Sequence, residues 1–135
     1  MRNRRVFLPL LDFGDIDNDG DMDVLVTNAA GPVRLLVNQI GTRNHWLGLR
    51  LVGADGLRDM VGARVVVTRS DGSTLGRRAR ADASYASAND PRVLIGLGLS
   101  TEVPAVSVTW PNGRSETWRD LPIDRYTTLI EGTGG

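Results

Sequence analysis

The 135-residue sequence predicts an all-β chain, a small β-meander carrying an acidic loop followed by an antiparallel β-sandwich. Three observations support this. Short β-branched and aliphatic runs recur along the chain with turn formers between them, the pattern of sandwiches and barrels. Asp71-Gly72 and Asn112-Gly113 each stand between two such runs, the strongest short-range hairpin signal. No segment sustains a 3.6-residue apolar period, and sixteen glycines scattered along the chain weaken any helix.

Residues 6–11, interrupted by Pro9, read as an edge strand, because proline lacks the amide that a central ladder needs. Residues 24–27 and 33–37 are the next two strands, joined by Asn28-Ala29-Ala30-Gly31-Pro32. They complete a meander assigned to residues 1–43, whose polar end at 39–43 is expected to act as a short linker. The sandwich is assigned to residues 44–135, with strands at 46–52, 63–69, 74–81, 92–97, 106–110, 115–118 and 126–130. A two-residue Asn112-Gly113 turn places Trp110 opposite Ser115 and Val108 opposite Thr117. Val106, Val108 and Trp110 then share the core face, and Trp118 lies on the other face, more exposed than Trp110.

Sixteen arginines balance sixteen acids, so no global field steers the chain toward nucleic acid or a membrane surface. The chain has neither cysteine nor lysine, which removes disulfides, thiolate sites and Schiff-base chemistry. Arg2, Arg4 and Arg5 precede an apolar run that ends at Asp12, too short for the core of a signal peptide, and no run approaches a membrane span.

The chemistry is concentrated in Asp15-Ile16-Asp17-Asn18-Asp19-Gly20-Asp21-Met22-Asp23. Five carboxylates this close repel by roughly 1–4 kcal/mol per near pair unless a cation compensates. Calcium suits them, since it takes six to eight oxygen ligands in flexible geometry. Asp15, Asp17 and Asp19 are expected to supply side-chain oxygens, Gly20 to turn the backbone, and Asp21 to offer its carbonyl with its side chain outward. Asp23 closes the shell as the next strand begins. An EF-hand is excluded, because the position that requires a bidentate Glu is Val26.

The segment DFGDIDNDGDMDVLVTN with GPVRLLVNQ resembles an FG-GAP or VCBS repeat, the calcium-loop blade unit of integrin-type β-propellers. NHWLGLRLVG, DMVGARVVVT, the Gly96-Leu97-Gly98 turn and VSVTWPNGRSETW resemble the ASPIC/UnbV domain that follows such repeats in the cartilage acidic protein-like family. The first resemblance implies calcium on Asp15, Asp17, Asp19, Asp21 and Asp23 and a partial propeller blade. Together they imply the C-terminal part of a secreted, cell-surface or periplasmic protein with propeller blades upstream. A lone repeat cannot bury both its faces, so apolar surface is expected to be exposed on residues 6–11 or 24–37.

The remaining constellations favour structure over catalysis. His45, the single histidine, has no G-x-S-x-G elbow to serve and is expected to fix the linker by a hydrogen bond. Gly96 and Gly98 lack the third glycine of a dinucleotide loop. Arg77, Arg78 and Arg80 have no aromatic neighbours for base stacking, so they read as a solvated face. The expected function is therefore a non-enzymatic calcium-binding interaction or adhesion module whose partner is a protein or a glycan. The alternative is a carbohydrate-binding accessory domain using Trp118, with Trp46, Trp110 and Tyr85 as further stacking candidates.

Overall fold

A computed structural model of the protein describes residues 10–28, 31–83, 87–103 and 105–135, with Thr42 described by its backbone only. The chain runs β1 (Leu10–Gly14), β2 (Asp23–Thr27), β3 (Arg34–Leu36), a 3-10 turn (Gly41–Arg43), β4 (His45–Val52), β5 (Arg64–Thr68), β6 (Thr74–Arg78), β7 (Val93–Gly98), β8 (Ala105–Thr109), β9 (Ser115–Trp118) and β10 (Tyr126–Ile130). The all-β expectation is met. Among the described residues no helix is long and apolar enough to cross a membrane.

The strands form three sheets in the orders β1-β2-β3, β10-β4-β7 and β6-β5-β8-β9. All pairings are antiparallel except β4 with β10, which run parallel. Alternation in β5 and β8 explains the core. Val65, Val67, Val106 and Val108 are fully buried and meet Leu47, Leu49, Val93, Ile95 and Leu129 from the facing sheet. Burial of each such side chain stabilises by about 1.5–3 kcal/mol.

Strand β4 is buried on both faces except at Arg50, which is exposed, since Trp46 at 6 % exposure points away from the sandwich core that Leu47 and Leu49 fill. It reads as a nearly continuous apolar run because it is covered twice, by the four-stranded sheet on one side and by the acidic loop on the other.

Within the described residues β1 covers Leu10–Gly14; residues 6–9 of the expected edge strand lie outside them, as does Tyr85. The expected linker at 39–43 carries the 3-10 turn, and its Gly41 amide donates to Asp21 Oδ2. The turn and register after β8 need correction. The β8–β9 loop holds one residue more than a two-residue turn. It is closed by Trp110 N–H to Arg114 O at 2.8 Å and Gly113 N–H to Trp110 O at 2.9 Å, with Gly113 at φ 87°. The register moves accordingly, pairing Thr109 with Ser115, Val108 with Glu116 and Val106 with Trp118.

Trp118 therefore lies on the core side. Its ring meets Trp110 edge to face at 6.1 Å and is covered by Gly134, where a β-carbon would fall 2.8 Å from it. Trp118 remains more exposed than Trp110, but it offers no stacking platform. Trp46 and Trp110 are buried outright.

The meander exposes apolar surface, as expected for its second half. Leu35 and Leu36 of β3 are 46 % and 56 % exposed, and Val33 and Val37 beside them are open as well. The pairing puts Phe13, Val24 and Leu36 on one face and Leu25 and Leu35 on the other, so both faces carry apolar side chains. The outer edge of β1 is closed by the segment before β7. Phe13 N–H donates to Asn89 Oδ1 and Asp90 N–H donates to Phe13 O. The edge of β3 pairs with nothing among the described residues.

Candidate metal centre

The turn between β1 and β2 folds its carboxylates inward because two of its residues accept left-handed backbone. Asn18 has φ 61° and Gly20 has φ 94°, at residue types that tolerate this region. One side-chain oxygen from each of Asp15, Asp17 and Asp19 then lies within 4.8 Å of the others, a group able to hold a metal ion. Asp15 is buried, Asp19 half-buried and Asp17 exposed.

Each carboxylate is held differently. Asp15 Oδ1 accepts the Asp19 amide at 3.1 Å, and Asp15 Oδ2 accepts the Gly20 amide at 3.0 Å. Asp19 Oδ1 accepts the Asp21 amide. Asp23 is fully buried and receives Ile16 N–H on one oxygen and Asn38 N–H on the other, so it ties β1, β2 and the segment after β3 together. Among the described residues no side-chain hydrogen bond joins Asp17 to another residue.

Asp21 departs from the expectation that it would face outward. The residue is 5 % exposed, and while Oδ2 accepts the Gly41 amide, Oδ1 is buried with no hydrogen-bond partner among the described residues. Asp21 and Asp23 thus stand beside the group of three and engage main-chain amides that close the loop.

The electrostatics fit a cation. Desolvation, then the charges of Asp19 and Asp23, raise the Asp17 carboxyl above the ordinary range. Desolvation and the Asp19 charge do the same to Asp21 against the lowering pull of the Gly41 amide. The loop therefore holds its negative charge at a cost that a divalent ion would relieve. Its donors are all oxygens, which suits a hard cation such as calcium. The unpartnered Asp21 Oδ1 is a second mark of the same fit.

The sandwich supplies Tyr126 and Arg92, which sequence patterns did not flag, and Trp46, which they raised only as a stacking candidate. Tyr126 Oη–H donates to Asp15 Oδ2 at 2.9 Å. Arg92 donates through Nη2 to Asp15 O at 2.8 Å and through Nη1 to Asn18 Oδ1, while Asp90 pairs with the same guanidinium. Trp46 underlies Gly20, where a β-carbon would fall 2.2 Å from the indole. The rings of Trp46 and Tyr126 meet edge to face at 5.2 Å, and the Arg92 guanidinium lies 3.9 Å from the Tyr126 centroid. Burial, then the bond and charge of Asp15, push the Tyr126 hydroxyl pKa up, so it stays a donor at neutral pH. These partners are 77 and 111 residues away from Asp15. Only the aspartate spacing was visible locally.

His45 acts as expected of a structural residue. Its Nδ1 lies 2.7 Å from Asp124 Oδ2, and Asp124 Oδ1 accepts the Trp46 amide, which fixes the start of β4 to the segment before β10. The open cleft beside it is lined by Asn18, Asp19, Arg43, Asn44, Trp46 and Asp124, none of them a hydroxyl or thiol nucleophile. Among the cluster Arg77, Arg78 and Arg80, all exposed, Arg80 pairs with Asp82.

Comparison with protein families matches residues 53–135 to the family described as ASPIC and UnbV. The match begins just after β4, the central strand of its sheet, so the matched region draws that strand from the preceding residues. No curated protein matched the sequence.

Proposed function

Because this chain belongs to the ASPIC and UnbV family and ties its aspartate loop to that domain through Asp15, we propose that it is a non-enzymatic calcium-binding interaction module of a secreted or cell-surface protein. The observation that carries the reading is the convergence of Asp15, Asp17 and Asp19, in a loop where the buried Asp21 leaves one oxygen without a partner among the described residues. Calcium bound there is structural. It neutralises the loop and holds β1 and β2 in place, with Asp15, Asp17 and Asp19 as side-chain ligands and Asp21 and Asp23 closing the turn.

The exposed apolar faces of the meander support a partner on that side. Further β-structure preceding residue 10 in a longer protein, of the FG-GAP or propeller-blade kind, would cover Phe13, Leu35 and Leu36 and pair with the free edge of β3. The partner bound by the whole module is a protein or a glycan. A glycan reading through Trp118 loses its support, because that ring is packed on Trp110 and Gly134.

Titration calorimetry of the metal-free protein tests the reading. One calcium per chain is expected, with a dissociation constant of about 0.1–1 mM, the range of extracellular modules, and weaker binding of magnesium. Absence of calcium binding at millimolar concentration, or unaltered binding in Asp15→Asn with Asp17→Asn, overturns it.

A further inference from the structure

We propose that Tyr126 is a positioning residue for the ion, so that metal binding is a joint property of the loop and the sandwich instead of a local feature of one turn. The inference rests on the calcium reading above and adds the residue through which the two parts communicate. Asp15 carries the contact. Its Oδ2 receives both the Gly20 amide and the Tyr126 hydroxyl, and its main-chain carbonyl receives Arg92. The Asp15 carboxylate is thus oriented from two sides, by its own loop and by β10.

Tyr126 has little freedom to turn away. It sits directly opposite Gly48 in the parallel β4–β10 pair, and a β-carbon at Gly48 would fall 2.5 Å from the Tyr126 ring. Trp46 closes one side of it and Arg92 another. The same Trp46 lies under Gly20, the residue whose left-handed backbone turns the loop. A single aromatic pair on the sheet β10-β4-β7 therefore fixes both the Asp15 carboxylate and the turn that presents the others.

Partners that orient ligating carboxylates are worth about 10–100-fold in metal affinity. Coupling of this kind is reciprocal, so ion binding must stabilise β4 and β10 as much as those strands favour the ion. The ion then works as a clamp between the meander and the ASPIC and UnbV domain.

The test compares calcium dissociation constants of the full chain, its Tyr126→Phe variant and a core variant, Val67→Ala, that lowers stability far from the loop. Tyr126→Phe keeps the ring and removes the hydroxyl. Its calcium affinity is expected to fall about 10-fold, with Val67→Ala unchanged while folded. Equal affinity in Tyr126→Phe and wild type, or equal losses in both variants, overturns the inference. Wild type that binds no calcium overturns the underlying reading instead, and the two failures are told apart by that control. If Tyr126→Phe does not fold, hydrogen exchange on wild type decides. Calcium is expected to slow exchange of the β4 and β10 amides, and protection confined to residues 15–23 contradicts the coupling.

Discussion

The indole of Trp46 fills the space where a β-carbon on Gly20 would stand, 2.2–2.3 Å from three of its ring atoms. Glycine is required at this turn twice, for its φ of 94° and for the close approach of the tryptophan. Gly20→Ala is expected to destabilise the protein by roughly 2–4 kcal/mol, combining left-handed strain with overpacking. Gly72→Ala is the comparison, with φ 82° and open space around the position. It should cost only the backbone term, about 1–2 kcal/mol. Chemical denaturation of the two variants measures the difference, which reports the Trp46 contact.

Asp23 and Asp17 should separate structure from ion binding. Asp23 serves two amides in a fully buried position, so Asp23→Ala leaves the Ile16 and Asn38 amides unpaired. It is expected to cost roughly 2–4 kcal/mol even in chelator. Asp17 is exposed and holds no other described residue by a side-chain hydrogen bond, so Asp17→Asn should leave metal-free stability within about 0.5 kcal/mol. Its effect should appear as weaker calcium binding. Equilibrium denaturation in chelator, followed by calcium titration, reads both.

Acid should act on the C-terminal end of the chain through Glu116. Burial opposes its ionisation, but the amides of Gly134 and Gly132 outweigh that and hold its carboxyl below the ordinary glutamate value. A depressed folded pKa contributes stability that is fully present above the unfolded value and is lost as pH falls through the folded one. Wild type is therefore expected to lose this contribution below the ordinary glutamate range. Glu116→Gln should be less stable at neutral pH and show a flatter decline on acidification, as read by denaturant midpoints measured from pH 7 down to about 3.

The strands were legible because their signals are local. Alternation in Arg64–Thr68 and Ala105–Thr109 marked a half-buried sheet, and the Asp spacing marked the loop. The hairpin register was readable only with more care. Pro111 favours the first corner of a type I turn, which leaves Gly113 as the left-handed third residue and lengthens the loop by one. Asp71-Gly72 repeats the construction, closed by Arg69 and Ser73. The inward turn of Asp21 depends on Gly41, twenty residues on, and the positions of Arg92 and Tyr126 depend on the way the sandwich closes. No local pattern encodes contacts of that span. The parallel pairing of β10 with β4 was hidden for the same reason.

Thermal unfolding with and without calcium tests the central claim most directly, that the Asp15–Asp23 loop is a structural ion site. At about 2 mM calcium and a dissociation constant of roughly 0.1–1 mM, linkage gives about 0.6–1.8 kcal/mol of stabilisation. That corresponds to a rise in melting temperature of roughly 2–8 °C over the chelated protein, lost in Asp15→Asn with Asp17→Asn. An unchanged melting temperature on adding calcium, or an equal rise in the double variant, would contradict the account.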